Sequence, residues 1–94
     1  MLLAEWIAQA VAARLDQPGR DRLLAALRDL DEAIFDGQDL NRMAGAMVIL
    51  FEENPDGLAS IVAMAKRDWR DLLMAAGLAH ADWQNVLEEK LGDY

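Results

Sequence analysis

The stretch RMAGAMVILFEEN, Arg42 to Asn54, holds nine consecutive residues, Met43 to Phe51, with no charge and no conventional hydrogen-bonding side chain. Such a run has to be hidden, and only a few hiding places exist. Lipid is a poor one: as a helix the run is about 14 Å long at ~1.5 Å per residue, whereas a bilayer needs about 20 apolar residues. A strand is disfavoured, because the chain has no threonine, few β-branched residues and no alternating run of useful length. The spacing predicts a helix over about residues 40–53, enclosed by other helices of the same chain. Gly45 fits that reading. Glycine inside a helix costs about 1 kcal/mol relative to alanine, so a packing partner that approaches closely is expected there.

Helical spacing also describes the surround, giving an all-α, compact bundle of about five helices in one domain over residues 1–94. The first covers about Leu2 to Leu15, with Leu3, Trp6, Ile7, Ala10 and Val11 inward, and Pro18 ends it. Its start, MLLAEWIAQAVAARL, lacks a basic segment and is interrupted by Glu5, so it reads as an amphipathic helix rather than a signal peptide. The second is predicted over Gly19 to Phe35, on the stripe Leu23, Leu27, Leu30 and Ile34. Gly37 turns the chain and Asp39 caps the central helix. Asn54 and Pro55 begin a fourth helix that runs to Ala76, where Gly77 and Leu78 suggest a cap with Leu78 folded back toward Leu73. A fifth covers Ala81 to Leu91. Trp69 and Trp83 fall on apolar stripes and are expected in the core.

The reactive inventory is thin. Cysteine is absent, which removes disulfides and thiolate chemistry and is compatible with a cytoplasmic location. Serine, histidine and tyrosine occur once each, as Ser60, His80 and Tyr94. Asp82 lies two positions from His80, a spacing that does not form a catalytic relay on a helix. The acidic run DLDEAIFDGQD places Ile34 where a calcium loop begun at Asp29 needs glycine. The only serine follows alanine, not the aspartate that an acyl-carrier attachment site would place before it. No catalytic, cofactor or metal residue is assigned, and the chain is read as a non-enzyme without a cofactor.

Charge carries the functional expectation. The net charge is −8, and residues 29–64 alone hold eight carboxylates against Arg42. That field repels phosphate backbones and anionic lipid, so neither nucleic acid nor membrane is an expected partner. A protein with a basic surface is. The chain is read as a small acidic interaction module, regulatory, adaptor or inhibitory, with Asp29, Asp31, Glu32, Asp36 and Asp39 as the recognition face and Trp6 as an apolar anchor. Two alternatives stand beside it. One is a carboxylate-bearing enzyme or enzyme subunit with a divalent metal. The other is a self-assembling subunit or dimer joined through Leu3, Trp6, Ala10 and Met43 to Phe51. The bias to alanine, arginine, aspartate and leucine, with two lysines, suggests a GC-rich bacterial or phage genome.

Overall fold

The helix that holds the uncharged run is the axis of the molecule. In the computed structural model, which describes residues 4–92, α1 spans Glu5–Arg14, α2 Gln17–Asp29, α3 Leu40–Glu53, α4 Leu58–Arg67, α5 Trp69–Ala76 and α6 Trp83–Leu91. Short 3-10 helices occupy Glu32–Phe35 and Pro55–Gly57. Leu3 and Tyr94 lie outside the described residues.

α3 starts where the Asp39 carboxylate accepts hydrogen bonds from the amides of Asn41 (2.8 Å) and Arg42 (3.4 Å), satisfying donors that a helix start otherwise leaves open. Every residue from Met43 to Ile49 is buried, as is Phe51, while Leu50 is half-buried. All five other helices pack on α3, α5 and α6 most extensively. They contribute Ile7 and Val11 from α1, Leu23 and Leu27 from α2, and Ile61 and Ala65 from α4. Leu72, Leu73 and Ala76 come from α5, and Leu87 and Leu91 from α6. Met43 to Ile49 and Phe51 are thus enclosed within one chain, and of this run Leu50 alone keeps an accessible side chain. Among the described residues no polar or charged residue is buried. No helix among them is long and apolar enough to cross a membrane.

Gly45 meets α6. A Cβ built on it would stand 2.4 Å from Leu87 Cδ1, and Leu87 is fully buried. The glycine therefore lets the two helices close on each other at the cost of local helix propensity.

Two expected helices are each divided in two. The predicted Gly19–Phe35 helix begins earlier, at Gln17, because Pro18 in the first turn forgoes an amide that has no partner there. It also stops at Asp29: Leu30 is extended, and Asp31 accepts a hydrogen bond from the Ala33 amide (2.9 Å), starting a separate turn that carries Phe35 into the core. The predicted helix to Ala76 breaks at Asp68, which is extended (φ −161°, ψ 110°) and accepts from the Arg70 amide at 3.0 Å. Lys66 and Arg67 complete the last turn of α4, where cations suit the helix dipole. The break lets the chain redirect so that α5 presents Leu72, Leu73 and Ala76 to α3. Asn54 precedes the 3-10 turn as expected of a cap, but its side chain makes no capping bond.

At the end of α5 the expectation holds in detail. Gly77 is left-handed (φ 78°), the Leu78 amide donates to the Leu73 carbonyl (2.8 Å) and the Gly77 amide to the Met74 carbonyl (3.3 Å). Leu78 is fully buried. Its own carbonyl receives both Nε (2.9 Å) and Nη2 (2.8 Å) of Arg42, whose guanidinium also lies 5.6 Å over the Trp83 ring. Arg42 thereby fixes α6 to the start of α3. Trp83 and Trp69 are half-buried against the core rather than within it, each beneath an arginine; Arg70 stands 4.9 Å over Trp69. Arg42→Met keeps the stem and removes the fork, and is expected to lower unfolding free energy by about 1.5–3 kcal/mol, the usual worth of a hydrogen bond to a charged group. Urea denaturation measures this; an unchanged midpoint would mean that the fork contributes nothing.

Candidate functional site

The chain between α2 and α3 gathers the predicted recognition residues at one corner. Asp29 ends α2, Asp31 and Glu32 open the 3-10 turn, Asp36 follows it and Asp39 begins α3. All five side chains are exposed. The corner is anchored from below by Leu30 and Phe35, both buried, with Ile34 packed against the same core.

Local chemistry fixes its shape. Asp31 and Asp39 spend one oxygen each on backbone amides. Asp36 adopts a left-handed backbone (φ 52°, ψ 41°), which a short polar side chain tolerates better than most, and Gly37 continues it at φ 80°. Among the described residues Asp29, Asp31, Asp36 and Asp39 form no ion pair, whereas carboxylates elsewhere do, as in Arg14–Glu52 at 3.3 Å and Arg67–Asp71 at 3.9 Å. These four aspartates therefore project negative charge outward.

Trp6 is half-buried on α1, and its indole Nε1 donates to Asn41 Oδ1 at 3.1 Å. Asn41 lies in the first turn of α3, two residues after Asp39, so Trp6 stands at the same end of α3 as the last carboxylate of the corner. At the other end, Arg14 reaches both Glu52 of α3 and the Lys90 carbonyl of α6, and Lys90 Nζ donates to the Ala76 carbonyl at 3.3 Å. Those cations sit against helix C-termini, where the dipole favours them.

Residues suited to chemistry are not assembled. Ser60 is exposed on α4, and His80 is exposed in the turn between α5 and α6. Among the described residues no three histidine, aspartate or glutamate side chains are placed to hold a metal ion, so the carboxylates of 29–39 and the pair Glu52–Glu53 do not converge as the metal-enzyme alternative requires.

Sequence reasoning missed the open clefts. One of about 620 Å³ lies between α2 and α4, bordered by Arg22 and Lys66. Another, of about 410 Å³, is lined by Arg42, Trp69, Arg70 and Met74, and Met74 is 69% exposed. Apolar positions that serve a helix stripe and those that line a cleft look alike until the neighbouring helix is placed. Comparison of the chain with protein families, curated proteins and solved structures found no match.

Proposed function

We propose that the domain is a small protein-interaction module without catalytic activity of its own, regulatory, adaptor or inhibitory in role, whose acidic corner docks on a basic surface of a partner protein. The observation that carries this reading is the corner itself: five exposed carboxylates within residues 29–39, held by backbone capping over buried Leu30 and Phe35. A rigid array of like charge speeds encounter and selects partners, while apolar contacts hold the complex. Half-buried Trp6, near the Asp39 end, is the apolar contact that this reading assigns.

Neutralisation tests it without disturbing the fold. Asn replaces Asp as a helix cap with little loss and tolerates the left-handed backbone at position 36. The variant with Asp29, Asp31, Asp36 and Asp39 changed to Asn and Glu32 to Gln takes the net charge from −8 to −3. In affinity capture from the native host, its partner is expected to associate about tenfold more slowly or worse, and the wild-type complex to weaken as salt rises. Capture indifferent both to the five substitutions and to salt would remove the acidic corner from recognition.

A further inference from the structure

The cleft between α2 and α4 has a charge opposite to that of the corner. The two helices both rest on α3 but do not pack closely on each other. Ala26 of α2 and Leu58, Val62 and Ala63 of α4 form an accessible apolar lining. Arg22 and Lys66 stand at the rim, both exposed. Arg22 also borders the adjoining cleft that contains Pro55, which places it toward the start of α4, whereas Lys66 lies in the last turn of α4. Asp56 borders the same cleft.

Seventeen carboxylates face nine lysines and arginines. Yet among the described residues neither Arg22 nor Lys66 has a carboxylate within ion-pair reach, Asp56 included. Arg42 and Lys90 also lack a carboxylate partner, but their side chains are spent on the carbonyls of Leu78 and Ala76. Arg22 meets only the Phe51 ring, at 6.0 Å. On the neighbouring surface Arg67 and Arg70 stand within ion-pair reach of Asp71 and Asp68.

We propose that the cleft receives an amphipathic helix of a partner protein, its apolar stripe flanked by carboxylates. The alanines allow a third helix to approach the gap between two others, and anchors at i, i+3 or i+4, and i+7 match an apolar lining that runs along α4. Leu58 and Lys66 are separated by about 12 Å of helix at ~1.5 Å per residue. One anionic head group reaches one end of the rim; carboxylates two turns apart on a helix, about 11 Å at ~5.4 Å per turn, reach both. The 3-10 turn of the acidic corner packs on α4, but none of the five corner carboxylates borders this cleft, and the substitutions below leave all five in place.

The test uses the full chain labelled with ¹⁵N and three probes. Two are synthetic helical peptides with the same leucine stripe, flanked by glutamates in one and by lysines in the other; the third is dodecanoate. The glutamate peptide is expected to shift the amides of Ala26, Val62, Ala63 and Lys66 and to bind at least tenfold more tightly than the lysine peptide. The double variant Arg22→Glu, Lys66→Glu is expected to reverse that preference. Ala63→Gln, a bulky neutral helix former at an exposed position, is expected to weaken the glutamate peptide at least tenfold while the thermal midpoint stays unchanged. Equal binding of the two peptides overturns the proposal. So does binding of neither, shifts confined to the acidic corner, or dodecanoate shifting these amides when the glutamate peptide does not.

Discussion

Met47→Asp is expected to abolish the folded state at neutral pH. Met47 is fully buried in the enclosed stretch of α3, and among the described residues no polar residue is buried with it. Stability on the order of 0.05–0.15 kcal/mol per residue gives a domain of this length about 5–14 kcal/mol in total. Removing a buried methionine side chain costs about 2–5 kcal/mol, and an enclosed, unpaired carboxylate adds several more or must remain protonated. The two penalties together match the whole reserve. The sign with pH follows from linkage. The introduced acid is held neutral in the folded state, so the unfolded chain gives up the proton more readily, and rising pH favours unfolding by about 1.4 kcal/mol per pH unit above the unfolded pKa. Circular dichroism is expected to show lost helix at pH 7 and partial recovery toward pH 5. Leu50→Asp, on the half-buried member of the same run, is the control and is expected to fold at pH 7. Equal tolerance of both substitutions would mean that α3 is not enclosed.

The second large effect is a reversal of sign at Gly45. Alanine there gains about 1 kcal/mol of helix propensity but drives its methyl into Leu87, and overpacking of a filled core costs about 1–3 kcal/mol. Gly45→Ala is expected to be neutral or destabilising, and Gly45→Val, with two further carbons, clearly destabilising. Leu87→Ala alone should cost about 2–5 kcal/mol. In the Leu87→Ala background the clash is gone and a cavity takes its place, so Gly45→Ala is expected to stabilise by about 1 kcal/mol. The coupling read from the double-mutant cycle is expected between about 0.5 and 3 kcal/mol. If Gly45→Ala stabilised the protein in both backgrounds, the close approach of α3 and α6 would not exist.

These cases show which parts of the molecule are legible along the chain. α3 is found at its predicted position, Leu40 to Glu53, because Asp39 and Asn54 bracket a run that nothing interrupts. The breaks at Leu30 and Asp68 are not legible from periodicity, since the apolar stripe continues in phase across both. Their signal is chemical: Asp31 and Asp68 each accept a hydrogen bond from the amide two residues on, and Asp68 follows two cations that end a helix. Aspartate on a helix surface and aspartate at a cap are the same letter, and only the neighbouring packing decides between them. A packing reason for Gly45 was readable, but the identity of Leu87 as its partner was not, because the two lie on helices separated by half the chain. The acidic corner was readable for the opposite reason. Its five members are close in sequence, and charged side chains go to the surface with few exceptions.

The all-apolar interior also decides how acid acts on this molecule. With no ionisable residue buried among those described, protons find nothing inside to charge or discharge. They act from outside, on the charged skin. Near pH 4.4 the net charge vanishes, and with it the repulsion that keeps copies apart. Acid is therefore expected to act first on how the molecules disperse, through the loss of that repulsion, rather than on the apolar core.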